Sequence, residues 1–392
     1  MDKKDYYFGH FLPESEICKY IGPAISANRM QIGMLSELVQ KQLLKVFSAY
    51  PIASFPKNKK LFLGGAKHTL PFKFKMIPTI NIFLIKQLFI ETFIFWKLLF
   101  GANKNSVVIT FNPYLELSSP VLFVKKIKKF STLCVVADIP TTIPESYSKF
   151  KKWIRKKEIK KYNNNINKYD GLIVLNKEVI KKYDFAGPYY VMNGGVSDSE
   201  LLESSFIEPK KHDNNVVLFS GALEEYNGVI TLIKAFSLIA DQNIKLYIAG
   251  SGSLTNFINE QASKDNRIVF LGQVPHDEIK KLQKRVGLLI NPRPINSFSM
   301  RLSFPSKLFE YMLSGTPVMS TKHNELVGKY HDILYLIDDD EMSIANGIRN
   351  FFNLSLDERY LKTMKAFAFL KENMTYSIHA KQIKRIMEAI RK

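Results

Sequence analysis

The chain has little cysteine, too few acids to balance its basic residues, and no long uncharged apolar run. Cys18 and Cys134 are the only cysteines in 392 residues. Two thiols do not make a disulfide framework, so the expected setting is a reducing cytosol. The start, MDKKDYYFGHFLPESE, is charged and polar and gives no sign of a cleavable leader. Asp and Glu number 36 against 56 Lys and Arg, a formal net charge of +20. Such an excess suits nucleic acid, an anionic membrane or small phosphorylated substrates. The greasiest segment, Met76 to Gly101, is interrupted by Lys86, Gln87, Glu91 and Lys97. Its longest uncharged run falls short of the ~20 residues a span needs, so a buried or interfacial helix is expected. The histidines (10, 68, 212, 276, 323, 331 and 379) are scattered without ligand spacing, which points to no metal cage and no metal cofactor.

What the chain does have is alternation. A hydrophobic share of 46% supports packed cores, and the length calls for two domains. In the second half, short apolar runs read as strands: NVVLFSG (Asn215 to Gly221), IKLYIAG (Ile244 to Gly250), RIVFLG (Arg267 to Gly272), GLLINPR (Gly287 to Arg293), TPVMST and ILYLID. Helix-period segments separate them, the pattern of a parallel sheet covered on both faces. The first half repeats the theme in SVVITF, STLCVVADIP, DGLIVLN and YYVMNGG. The expected fold class is α/β, two doubly wound Rossmann-like domains facing each other across a cleft. Their expected bounds are 1–208 and 209–375, with residues 376–392 a helix packing back toward the first domain and Glu208 to Asn215 a linker.

The densest basic stretch is KFKKWIRKKEIKKY, Lys149 to Tyr162, preceded by KKIKK at Lys125 to Lys129. Phe150, Trp153, Ile154 and Tyr162 can share part of one helix surface with lysines at its flanks, the composition of a helix lying on anionic lipid. A solvated face around a few core contacts is the alternative.

One stretch, FPSKLFEYMLSGTPVMS from Phe304 to Ser320, carries a lysine and a carboxylate one turn apart on a greasy helix. Pro305 and Ser306 open it, and Gly315 with Pro317 close it. Ligands of such sheets bind at the carboxyl ends of the strands. There Lys307 and Arg293 can neutralise a diphosphate, helped by free N–H groups at the helix start. Glu310, a turn further on, suits paired hydroxyls such as those of a ribose. A plain Lys307–Glu310 surface pair is the alternative.

FSGALEEYNGVITLIKAF, LYIAGSGSL, RIVFLGQVPHDEIKKLQ and LLINPRP…FPSKLFEYMLSGTPV occur in that order. Together they resemble retaining glycosyltransferases of the GT-B fold, family 4 type, in the branch that assembles bacterial capsule, exopolysaccharide or O-antigen. The resemblance runs from Asn215 to Ser320 and is faint before Ser131. It implies that Glu310 holds the donor ribose, that Gly221 admits the diphosphate close to backbone, and that Val274 lies where backbone meets the base. Ser306, Lys307 and Arg293 complete the implied donor site, with Arg293 and Lys307 neutralising the leaving group. Where many relatives have an arginine and a lysine after the first strand, this chain has Ala222 and Asn227. Where a second glutamate often touches the sugar, it has Leu302.

In the first domain, Asp138 follows a strand, where related enzymes often place a His or Asp to meet a sugar. A cap on the following Ile139–Pro140 loop is the alternative. KYIGPAISANRMQIGMLSELV resembles the family's early glycine loop and first helix, which implies acceptor contacts from Asn28 and Arg29, with Ser26 and Gln31 beside them. The implied activity is transfer of a sugar, with retention, from a nucleotide-diphosphate donor to a lipid-linked glycan acceptor. The implied location is the cytoplasm, peripheral on the inner face of the plasma membrane, with an anionic membrane surface as partner and no nucleic acid. A sugar-nucleotide epimerase of the same fold, which needs acids and bases gathered at the site, and a non-catalytic basic module binding membrane or nucleic acid are the rival readings.

Overall fold

The computed structural model describes residues 4–41, 43–69, 71–140, 143, 147–204, 213–295 and 302–391. It divides into two compact units, Met1–Gly195 with Tyr376–Lys392, and Val196–Thr375. The boundary falls at Gly195 rather than near residue 208. Val196 forms a parallel bridge with Thr375, and its amide donates to the Met374 carbonyl at 2.9 Å. The chain therefore enters and leaves the second unit side by side. Of the expected linker, residues 208–212 lie outside the described residues, and Asp213 already begins a strand.

The second unit is a six-stranded parallel sheet in the spatial order Ile268–Gly272, Lys245–Ala249, Asp213–Ser220, Val286–Asn291, Val318–Thr321, Tyr335–Ile337. Counted along the chain, this is the doubly wound order in which strands are added outward on one side and then on the other. The reversal lies between Asp213–Ser220 and Val286–Asn291, so a crevice opens beyond Ser220 and Asn291. Val217, Phe219, Ile248, Leu288 and Ile290 are buried on adjacent strands. These strands read as apolar runs because helices cover both of their faces.

The first unit holds an eight-stranded sheet. Its order is Tyr189–Val191, Gly171–Val174, Ser131–Val136, Val107–Phe111, Asp5–His10, Leu44–Ala49, Phe74–Met76, Lys67–His68. Only the last pairing is antiparallel. Here the reversal lies between Asp5–His10 and Val107–Phe111. Helix Ile25–Lys41 and tail helix Tyr376–Ile390 cover one face, and helices Ile85–Gly101 and Leu115–Lys128 the other. The tail helix is fixed at both ends. Its Tyr376 ring rests where a Cβ on Gly33 would stand 2.1 Å away, and Arg391 after it pairs with buried Asp5 at 2.8 Å.

Two expectations change. The greasy stretch starts as strand residues and becomes a helix only at Ile85, with Ile90, Ile94 and Leu98 turned inward. Among the described residues no helix is long and apolar enough to cross a membrane. The basic helix Lys149–Ile166 does not gather its four apolar residues on one outer face. Ile154 and Tyr162 are buried while Phe150 and Trp153 are exposed, because the Tyr162 hydroxyl donates to the Asp138 carbonyl and draws its end of the helix against the sheet.

Candidate functional site

The crevice of the second unit is built from the turn after Ser220. Gly221 follows that strand, and a Cβ placed on it would lie 3.6 Å from the Lys307 ammonium. Lys307 is the first residue of helix Lys307–Leu313; Pro305 and Ser306 stand just outside it, and the Ser306 side chain makes no cap. The ammonium donates to the Ser220 carbonyl. One helical turn on, the buried Tyr311 hydroxyl accepts from the Ser220 amide at 3.1 Å and donates to its carbonyl at 3.0 Å. The helix start is thereby tied to the strand end, and Lys307 is held beside Gly221.

Arg293 comes from the other side of the reversal, two residues past strand Val286–Asn291. Its guanidinium donates to the Asn227 side-chain oxygen, at 3.1 Å from Nη2 and 3.4 Å from Nε. Asn227 in turn donates to the Ala222 carbonyl at 2.8 Å. Both cations therefore engage one short segment, Ser220 to Asn227. The loop that carries Arg293 is held on three sides. The Thr321 hydroxyl donates to the Arg293 carbonyl at 2.5 Å, Asp339 accepts from the Ile295 amide at 2.9 Å, and Gly228 leaves room for Pro292. At Gly228, with φ of 76°, a Cβ would stand 1.9 Å from the Pro292 carbonyl oxygen.

Burial lowers the pKa of Lys307 against the pull of Glu310, and it lowers that of Arg293 as well. Lys307 leaves part of its side chain exposed, so the desolvation acts at the ammonium, which reaches in to the Ser220 carbonyl. Two partly desolvated cations beside a glycine turn are an arrangement that can take an anion. Glu310 is half-buried, and Gln283 donates to one of its carboxylate oxygens at 2.7 Å. Gln283 is itself fixed by Thr316, whose hydroxyl donates to its carbonyl at 2.5 Å. His323 lies behind the loop, its pKa held at about 4 by burial and then by the Arg293 charge. Leu302 is buried. Val274, half-buried, follows the outermost strand, Ile268–Gly272, away from the two cations.

The remaining sequence candidates lie in the first unit. Asp138 is exposed after strand Ser131–Val136; its amide and that of Ala137 donate to the Asn112 side-chain oxygen at 3.0 and 2.8 Å. Asn112 adopts a left-handed φ of 60° to do this. The Tyr114 hydroxyl donates to the Asp138 carboxylate at 3.3 Å. Asn28 differs from its expected role. It is buried, and its amide accepts from the Leu12 N–H at 2.7 Å and donates to the Leu12 carbonyl at 3.0 Å, a brace for the loop after the first strand. Gln31 braces the same region through Tyr7 and His10. Arg29 and Ser26 face outward.

Sequence reasoning missed Tyr311 and Gln283 as parts of this crevice, the hydrogen bond by which Asn227 holds Arg293, and the His10–Glu116 pair of the first unit, 3.2 Å apart at that sheet's reversal. Only Tyr311 had a local signal, four residues after Lys307.

Residues 214–353 match the family model described as "Glycosyl transferases group 1". The match covers about a third of the chain and falls wholly within the second unit. An uncharacterized glycosyltransferase of Methanocaldococcus jannaschii is 33% identical to this chain over 111 residues, 27% of each protein's length. Among solved structures, HepE of Anabaena in complex with UDP covers 99% of this chain and 100% of its own, with a TM-score of 0.64 at 14% identity. Sucrose-phosphate synthase of Thermosynechococcus elongatus covers 98% of both, with a TM-score of 0.67 at 13% identity. At such identities the likeness shows the fold, two Rossmann-like units of the GT-B kind. The matched segment contains Gly221, Asn227, Arg293, Lys307 and Glu310.

Proposed function

We propose that the protein is a glycosyltransferase that moves a sugar from a nucleotide-diphosphate donor to a lipid-linked glycan acceptor in cell-surface polysaccharide synthesis, with retention at the anomeric carbon. One observation carries the reading: Arg293 and Lys307 both engage the Ser220–Asn227 turn, distant from them in sequence, at the point where the strand order reverses. HepE and a second structure of it were solved with UDP, and with UDP and glucose, which supports a nucleotide sugar as donor.

In this reading the diphosphate sits against Gly221 between the two cations. Breaking the bond from anomeric carbon to phosphate places negative charge on the leaving group and oxocarbenium character on the sugar. Arg293 and Lys307 stabilise the first because they are already in place and partly desolvated. Glu310, its carboxylate steadied by Gln283, accepts hydrogen bonds from the ribose hydroxyls. Gly221, Ser306 and Val274 complete the donor side, and within the first unit Asp138 and Arg29 are the residues offered to sugar or acceptor. The acceptor hydroxyl attacks on the face the leaving group vacates and passes its proton to the departing phosphate, so no protein nucleophile and no metal is called for. The protein works as a peripheral protein at the cytoplasmic face of the plasma membrane, on an anionic surface, where a lipid-borne acceptor is found.

A panel of sugar nucleotides offered with a lipid-diphosphate acceptor extract tests this. Transfer of label into the lipid fraction from one donor is the expected result. Conversion of one sugar nucleotide into another, with no acceptor product, would mean an epimerase instead.

A further inference from the structure

The helices covering one face of the first unit's sheet carry apolar residues on the wrong side. In helix Ile85–Gly101 the inward stripe is Ile90, Ile94 and Leu98, yet Trp96 and Phe100, four apart, point outward at 50% and 81% exposure. Phe123 and Ile127 on helix Leu115–Lys128 do the same at 57% and 53%. These side chains form one ridge: Trp96 stacks on Phe100 with centroids 5.5 Å apart, and Phe95 links Trp96 at 5.1 Å to Phe123 at 6.0 Å. Packing of the sheet does not call for such a ridge, since that face has its own buried core. A contiguous outward aromatic patch marks a surface that meets something apolar.

The flanking charge says what. The neighbouring helix Lys149–Ile166 carries seven lysines and one arginine against a single Glu158. It is joined to the aromatic helix by the Gln87–Glu158 hydrogen bond at 3.2 Å. Its exposed Trp153 lies under the Lys157 ammonium at 3.6 Å. Lysines that lift their ammonium groups beside outward aromatics suit the headgroup boundary of an anionic bilayer, where rings sit among acyl carbons and cations meet phosphate.

We infer that the first unit docks on an anionic lipid bilayer by inserting the Trp96–Phe100–Phe123–Ile127 ridge, with the basic helix lying on the headgroups beside it. This rests on the reading of a membrane-borne acceptor and names the surface that serves it. The apolar ridge, rather than the lysines alone, holds the protein there.

Trp96 belongs to the ridge and is half exposed, and Trp153 is the chain's other tryptophan, so with Trp153 replaced the full chain reports insertion of the ridge. In Trp153→Phe protein, adding phosphatidylcholine vesicles with about 30% phosphatidylglycerol should shift Trp96 emission to the blue, and vesicles of phosphatidylcholine alone should do so far less. The triple variant Trp96→Ser/Phe100→Ser/Phe123→Ser alters only residues at least half exposed. It should keep its circular dichroism and UDP affinity and lose at least about tenfold in vesicle partition. The inference is overturned if anionic vesicles leave Trp96 emission unchanged, or if the triple variant partitions as well as the parent. It is equally overturned if the ridge is already covered without lipid, seen as a dimer by light scattering that the triple variant abolishes. UDP titration of the same proteins reports on the donor site separately, so loss of that reading and loss of this one are told apart.

Discussion

Lys307 shows how much one side chain's surroundings decide. On an isolated surface helix it would pair with Glu310 at i,i+3 and do little else. Here its ammonium turns to the Ser220 carbonyl, while Gln283 engages the carboxylate of Glu310. Lys307→Ala should lower transfer by about a hundredfold or more while the fold persists, since the residue is exposed and its loss leaves no core cavity. Steady-state transfer rates beside circular dichroism check this, and a variant turning over near the parent rate would rule out the charge-neutralising role given to Lys307. Burial lowers the Lys307 pKa, whereas a bound diphosphate raises it by supplying opposite charge. Binding then takes up a proton wherever free Lys307 is partly deprotonated, so UDP affinity should fall as pH rises through the alkaline range, for example from about pH 7.5 to about 9.5. Calorimetric titration at both values, with Lys307→Ala showing less dependence, measures it. Asn227 stands where many relatives have a phosphate-binding lysine, and it orients Arg293 instead.

At the scale of the element, the loop after strand Val286–Asn291 is a rigid part. It is hydrogen-bonded to the ends of the next two strands, through Thr321 and Asp339, and lies on Gly228. Gly228 is where backbone geometry matters most, because its φ of 76° strains any other residue and its neighbour Pro292 leaves no room for a Cβ. Gly228→Ala should destabilise the C-terminal unit by about 1–3 kcal/mol and weaken UDP binding by displacing Arg293. Urea unfolding and UDP titration of the variant read both effects; unchanged UDP binding would show that the loop does not need this support.

At the scale of the whole molecule, among the described residues each unit contains one buried histidine with a pKa near 4: His323 in the second, depressed by burial and then by Arg293, and His379 in the first, depressed by burial. The sign follows from where protons bind. Between about pH 6.5 and pH 4 the unfolded chain takes up a proton that the folded unit refuses, so stability is full above pH 6.5 and falls as pH drops. From pH 7 to pH 5 the loss should be about 2 kcal/mol per histidine. Urea midpoints at the two pH values test it, with His379→Gln expected to flatten the response of the first unit alone.

How much of this was legible in the sequence depends on the range of the interaction. The second unit's strands were readable because apolar runs bounded by Gly and Pro are local signals, and Arg293 and Lys307 could be singled out because they stand at element ends, with Glu310 one turn past Lys307 on the same helix. The basic stretch was readable as a helix but not as a surface: which of Phe150, Trp153, Ile154 and Tyr162 turn inward was set by the Asp138 carbonyl, which Tyr162 reaches only in the fold. The same holds for Asn28, whose side chain is committed to the backbone of Leu12. By itself the sequence determined the periodicity, the charge and the kinds of residue at the strand ends, since those follow from neighbours along the chain. Only the tertiary structure decided which side chains meet, that Asn227 serves Arg293 and that Trp96 and Phe100 face outward, because burial and partner choice arise when distant segments come together.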